Sequence, residues 1–561
     1  MYPVEQVFEC TVNENVQMLL RASFAKFLLF LHIDKAPLEE ITVPDLSRVW
    51  SDIVHHRTKL PQSQAPITPK LLELKPFVAR FFSELGGVQK AFETDFNTYI
   101  VELLGVVDAM VKLGFYKDEQ DLILIVDPLI QLLDGSLDVI DLADPKASRS
   151  VGETGRVDSL SASQGASSSK RLAEELAHRQ KRYHVNESNL LIMSTKTKII
   201  NILQRILDIQ NDVRLTEFLT AFHKNSDPVP SEEATFIEQV NQSHNLEELF
   251  AKDQALADLK PSVDERVVSW VNKAYGNKKL SLDRISQSDF ICVLLDLILY
   301  ENAALVNNAF KLLVCFFTQK QAILDLASNV QILEEEQDVR VLHCVNGQLK
   351  EMKWEADNAE FWLGFGGRPE LIKARNFMER LDMLGDLCIR KDERVYDFQD
   401  NDRLNRSITR NEVAGLIRKR GKNRASESEQ QLLNDTSEMT ADWEDDDTKV
   451  IQLEEENDEK YQRLLRNLNA QEMALIIIRQ GVLDEAESSA AYLRVLERAY
   501  VMLIRFVRNN RENQLLLMEK IEEFLGDVEH GVHAFELIAE ILRNNEKLSS
   551  YNLAPIVRKV C

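Results

Sequence analysis

Residues 288–339 read SDFICVLLDLILYENAALVNNAFKLLVCFFTQKQAILDLASNVQILEEEQDV, three apolar-periodic segments with almost no loop between them. In the middle segment Leu305, Ala309, Leu312, Leu313, Phe316 and Phe317 recur at spacings of three and four, which places them on one helical face. Ile323, Leu326, Val330 and Leu333 repeat the pattern, which places them on one face of a third helix. Helices joined this tightly pack as near-antiparallel neighbours, and none can bury its stripe alone. The stretch therefore reads as a module of a stacked helical array, suited to binding and transmission rather than catalysis.

The rest of the chain supports an all-α reading. Its 561 residues include only 19 Gly and 14 Pro, too few for a protein of strands and turns, and 44% of them are hydrophobic. A net charge of -24 argues against general nucleic-acid binding, which needs a basic face to displace counterions. The six cysteines, Cys10, Cys292, Cys315, Cys344, Cys388 and Cys561, show no CxxC spacing and are expected to be reduced and mostly buried, which implies a cytosolic setting. No stretch approaches the run of roughly 18 apolar residues that a membrane span requires.

Outward from that stretch, five blocks follow from composition. Residues 1–143 form an N-terminal helical block: an apolar helix over 15–33, an extended stretch with Pro37, Pro44 and the packing residue Trp50, then helices over 70–85, 91–113 and 118–133. Pro128 should kink the last of these, with Gly135 ending it. Residues 144–190 are Ser- and Gly-rich and are expected to be a disordered linker. A central solenoid over 191–390 opens with one helix after Thr195 and a second from about Arg214, and includes Trp354, Phe361 and Trp362 as packing groups. Residues 391–459 are a second disordered linker, first basic and then acidic. Residues 460–561 are helical again. Neither end reads as a polar capping repeat, so the chain is expected to be a slice of a longer array.

Several segments carry a resemblance. LRASFAKFLLFLHIDKAPLEEITVPDLSRVWSDI (20–53), KLGFYKDEQDLILIVDPLIQLLD (112–134), KTKIINILQRILDIQNDVRLTEFL (196–219), LVNNAFKLLVCFFTQ (305–319) with VQILEEEQDV (330–339), YQRLLRNLNAQEMALIII (461–478) and NNRENQLLLMEKIEEFL (509–525) stand in one order. Together they resemble the cytosolic helical modules of the inositol trisphosphate receptor and ryanodine receptor family, the former more closely: its central homology region and the start of the associated domain.

The resemblance implies an armadillo-like α-solenoid with two long insertions. It also implies a regulatory and coupling role at the cytosolic face of the endoplasmic reticulum, with partners among the neighbouring domains or subunits of a tetrameric calcium-release channel. No strand-rich ligand-binding region and no pore filter is found, so no ligand-binding or pore residue carries over, and no cofactor is expected. The alternative is a free-standing cytosolic scaffold that binds helices or tails along a concave face.

Candidate sites are few. Asn509, Asn510, Asn513 and Gln514 match the family's Asn-rich turn and read as an interface or as a helix cap; Asn509 with Glu512 has capping-box spacing, and the cap outweighs the interface. Arg424-Ala425-Ser426 fits a weak basophilic kinase pattern, making Ser426 a regulatory phosphosite candidate beside the basic run Arg418, Lys419, Arg420, Lys422 and Arg424. The acidic run Glu444, Asp445, Asp446 and Asp447 lacks the spaced ligands and glycine of a calcium loop, so no metal site is expected. GFGGRPE (364–370) follows a helix and lacks a phosphate-loop ending, and is read as a turn. No spaced nucleophile and base, and no HExxH, is present, so an enzyme is not expected.

Overall fold

Four of the described helices start with a short polar side chain placed one residue ahead of an apolar-periodic run. Asp118, Asn302, Asp458 and Asn510 each accept the N–H of the residue three further on, satisfying one of the amides that a helix start leaves without a partner. The computed structural model describes residues 2–35, 38–53, 60–61, 65–116, 118–140, 182–187, 189–225, 265–276, 287–359, 368–390, 456–480, 490–528 and 533–550, and these are mostly helical. The chain divides into two units, Met1–Ile332 and Leu333–Cys561.

In the first unit the helices are α1 (Val4–Val12), α2 (Met18–Leu28, continued by a π-helical turn at Leu29–Ile33), α3 (Trp50–Ile53), α4 (Pro69–Leu72), α5 (Leu74–Leu85), α6 (Thr94–Lys112), α7 (Glu119–Asp134), α8 (Leu190–Asn225), α9 (Glu265–Gly276), α10 (Gln287–Leu297), α11 (Ala303–Phe317) and α12 (Gln319–Asn329). Packing runs from α1 to α2, α2 to α6, α6 to α8, and α8 to α11, while α10 packs on α11 and α7. One apolar core follows this order from Val7 through Leu103, Ile202 and Leu294 to Phe316. A second surrounds the C-terminal part of α8, where Phe218, Phe222 and Trp270 meet edge to face.

The second unit holds α13 (Glu336–Asp357), α14 (Arg368–Leu387), α15 (Glu459–Asn467), α16 (Gln471–Arg479), α17 (Ala490–Val507), α18 (Arg511–Met518), α19 (Ile521–Leu525), α20 (Ala534–Leu542) and a 3-10 turn at Glu546–Ser550. Here α17 is central, packing against α14, α16, α18 and α20. Its buried residues Val495, Leu496, Ala499, Leu503, Phe506 and Val507 recur at helical spacing.

Several expectations need correction. The third helix of the opening stretch stops at Asn329, and Gln331–Leu333 is a short strand, β2, that pairs with β1 (Ser47–Val49); the Gln331 N–H donates to the Leu46 carbonyl at 2.7 Å. Val330 and Leu333 are buried there, but by an extended backbone. Residues 190–225 form one 36-residue helix rather than two. No Gly or Pro interrupts it, and its polar middle is held from outside: Asp212 accepts from Arg48 at 2.6 Å, and Arg214 donates to Gln319 at 2.6 Å.

The expected helix over 70–85 divides at Glu73, whereas α7, which contains Pro128, ends at Asp134 with Gly135 closing it as the sequence indicates. Trp354 is 56% exposed rather than a packing group, and Phe361 and Trp362 lie outside the described residues. Of the cysteines, Cys388 is buried, Cys10, Cys315 and Cys344 are half-buried, and Cys292 is exposed, because it stands on the outer side of α10. Cys561 lies outside the described residues. Trp50 does pack, edge to face on Phe222 and against the His223 ring.

Candidate functional site

The Asn-rich turn is built by two adjacent asparagines with different tasks. Asn509 has φ 52°, the left-handed conformation that asparagine tolerates better than most residues and that ends α17. Asn510 is the N-cap of α18: its side chain accepts the Asn513 N–H at 3.1 Å. The capping position is therefore one residue beyond the Asn509 expected from capping-box spacing, because Asn509 is consumed in reversing the chain.

Asn513 and Gln514 face inward and are fully buried. The Asn513 amide donates to the Phe506 carbonyl at 2.7 Å, and its oxygen accepts from Arg466 at 2.8 Å. Gln514 donates to the Glu540 and Arg543 carbonyls at 2.9 and 3.1 Å, the last acceptors of α20. Asn510, Asn513 and Gln514 thus have polar groups met from within the unit, while Asn509 supplies the backbone conformation of the turn. Arg466, beside Arg463 and partly buried, is held below its ordinary pKa, first by burial and then by that like charge.

Two charged arrangements in the first unit escaped sequence reasoning. Lys196 is 0% exposed, and its ammonium lies 3.0 Å from Asp138 while donating to the Leu132 and Leu133 carbonyls at 3.1 Å each, at the C-terminal end of α7. A cation there complements the helix dipole as well as the carboxylate. The Tyr300 hydroxyl faces the same place: a Cβ on Gly135 would lie 2.7 Å from the Lys196 ammonium, 2.9 Å from Asp138 and 3.1 Å from the Tyr300 oxygen. Burial, and then the Asp138 charge, pushes the Tyr300 phenol up, so it stays protonated.

Beside this group, Arg182 donates to the Gly135 carbonyl at 3.1 Å and to both Asp296 oxygens at 2.6 and 2.8 Å, and Tyr183 donates to Asp296 at 2.6 Å. Arg182 and Tyr183 fall within the stretch 144–190 read as a linker; its described residues are tied to α10 by these bonds, while 141–181 and 188 lie outside the described residues. The available signal was the position of Lys196 four residues from Ile192 and three from Ile199, on the apolar face of the helix.

Part of the opening stretch faces outward. Leu305, Ala309, Leu312, Leu313 and Phe316 are buried as the periodicity indicates, but Phe317 is 66% exposed and shares the outer side of α11 with Phe310 and Val314. Leu295 of α10 and Leu299 in the turn after it are exposed too, as are Leu19, Leu20, Phe27 and Phe30 of α2 and its π-helical turn. Exposed apolar surface in such groups marks contact surface.

Ser426, the basic run 418–424, the acidic run 444–447 and Gly364–Gly367 lie outside the described residues. Among the described residues, no group of three or more His, Cys, Asp or Glu converges as a metal site would require, and no helix is long and apolar enough to cross a membrane.

Comparison with known proteins gives the context for this scaffold. No family model matches the chain. Over 98% of its length it is 21% identical to the inositol 1,4,5-trisphosphate receptor itr-1 of Caenorhabditis elegans. The similarity points to that receptor family. The chain spans 19% of the length of that relative.

Proposed function

We propose that this chain is a regulatory and coupling segment of an inositol trisphosphate receptor-like calcium-release channel, an armadillo-like solenoid that carries ligand-driven displacement toward a pore supplied elsewhere. The observation that carries the reading is a likeness that extends along nearly the whole chain rather than over one motif. Helices that pack in sequence from α1 through α2, α6 and α8 to α11 are the kind of array such a role needs. Grouped apolar side chains on the outer sides of α2, α10 and α11 supply surface for neighbouring domains or subunits. The five-block division, placement at the cytosolic face of the endoplasmic reticulum, a non-enzymatic role and regulation at Ser426 belong to the same proposal. Within it, the Asn509–Gln514 turn serves as a cap and internal tie.

A tagged endogenous copy tests this. It should sediment with reticulum membranes in a multi-copy assembly, and its depletion should abolish inositol trisphosphate-evoked calcium release from permeabilised cells. A copy that stays in the soluble fraction, with release intact after depletion, overturns the channel reading in favour of a free-standing scaffold.

A further inference from the structure

The turn at Asn509 is one of a set. Leu465-Arg466-Asn467-Leu468-Asn469, Val507-Arg508-Asn509-Asn510 and Leu542-Arg543-Asn544-Asn545 each end a helix, and Asn469, Asn509 and Asn544 hold φ of 55°, 52° and 54°. Repetition of one backbone solution after α15, α17 and α20 means that a similar helix end recurs, with carbonyls in need of donors.

Buried amide side chains meet those carbonyls and also bond to one another. Gln462, on α15, donates to the Arg505 and Arg508 carbonyls at 2.8 and 3.0 Å, closing the end of α17. Its oxygen accepts from the Asn510 amide at 3.1 Å, and its own backbone carbonyl accepts from Asn513 at 3.4 Å. Asn510 in turn accepts the Asn513 N–H. Gln514, the next residue, closes the end of α20 and accepts at its oxygen from Asn545 at 3.0 Å, while Asn545 also donates to the Arg511 carbonyl at 3.0 Å. Gln462, Asn510 and Asn513 are linked by hydrogen bonds, as are Gln514 and Asn545; the peptide bond between Asn513 and Gln514 on α18 joins the two sets, and Gln462, Asn513, Gln514 and Asn545 are all buried.

A buried amide that loses one partner leaves another polar group without water to replace it, so each bond in such a series depends on its neighbours. We propose that this chain of amides makes α15, α17, α18 and α20 a single cooperative element, so that a disturbance at Gln462 is delivered to the Asn545 turn, which Gln462 does not touch. The inference stands on these hydrogen bonds and is independent of the receptor reading.

Hydrogen exchange on the full chain tests it. Gln462→Met keeps the side-chain length and removes the amide. Exchange should accelerate about tenfold at residues 505–513 and equally across Ala534–Leu542. Gln514→Met should do the same at Glu459–Asn467. Acceleration confined to the direct contacts of the replaced side chain overturns the proposal.

Should either variant fail to fold, Asn510→Asp decides. Aspartate caps a helix as well as asparagine but lacks the donor to Gln462, so a merely local cap role predicts no change at Ala534–Leu542. Faster exchange there sustains the proposal, and unchanged exchange overturns it.

Discussion

The two units end their helices by different means. Among the described residues, the left-handed turns of the first unit fall on Gly86, Gly87, Gly114 and Gly135, whereas those of the second fall on Asn469, Asn509, Asn544 and His533. A glycine supplies only the backbone conformation. The helix end it leaves must be satisfied by something else, and at Gly135 that is the pair of cations Lys196 and Arg182, held by Asp138 and Asp296. In the second unit the residue after the turn is itself an amide, at Asn510 and Asn545, and the satisfying groups are buried glutamines and asparagines. At these helix ends, then, Gly135 depends on a few buried charges, whereas the Asn509 and Asn544 turns depend on several weaker neutral bonds.

The strongest way to break the comparison is to remove one of those charges. Lys196→Met leaves Asp138 without a cation in an apolar interior and the end of α7 without its donor, and should cost about 3–5 kcal/mol. Urea unfolding of the first unit measures it. Lys196→Met with Asp138→Leu, which removes both charges, should recover a large part of that loss. Equal loss in the single and double variants would show that the carboxylate is not what Lys196 compensates.

The turn residues give a smaller effect and a sharper contrast. At Gly135 a β-carbon meets both the left-handed conformation (φ 64°) and the Lys196, Asp138 and Tyr300 polar atoms, so Gly135→Ala should cost about 2–4 kcal/mol. Asn509 is exposed and only its φ is demanding. Asn509→Ala should cost about 1 kcal/mol, and Asn509→Gly should stay within about 0.5 kcal/mol of the parent. Thermal unfolding of the set checks this, and a Gly135→Asn variant as mild as Asn509→Gly would remove the distinction between the two kinds of turn.

How far these features could be read from sequence follows from their range. The α11 stripe was legible because Leu305, Ala309, Leu312, Leu313 and Phe316 need only the helical period to find one face. The same period misassigned Val330 and Leu333, since spacings of three and four also fit a helix end followed by a strand, and pairing with residues near Ser47 decides between them. Trp354 looked like an anchor by size alone, and size does not say which side of a helix is covered. The Asn509 cap was legible to within one residue, as both candidates are asparagines and only backbone geometry separates the reversing residue from the capping one. Lys196 with Asp138, and Gln462 with Asn510, join separate elements, so no local pattern carries them.

The smallest effect concerns α8, whose half-buried Asp208 shows that not every charge in the first unit is a well-compensated one. Burial raises its carboxyl above the ordinary aspartate range, and Gln204, Lys311 and Arg205 offset this only in part. The folded state thus binds the proton more tightly than the unfolded chain. As pH rises through the ordinary aspartate range and on through the raised folded value, the folded state must give up that proton, and stability falls. Asp208→Asn removes the penalty, so at neutral pH it should gain roughly 0.5 kcal/mol, the scale of a change that breaks no buried network. The gain should shrink as pH is lowered and disappear below the ordinary aspartate range, where the parent carboxyl is protonated in both states. Urea midpoints at several pH values measure the gap between the two proteins. A gap that does not change with pH would mean that packing of the amide, rather than the buried charge, sets the difference.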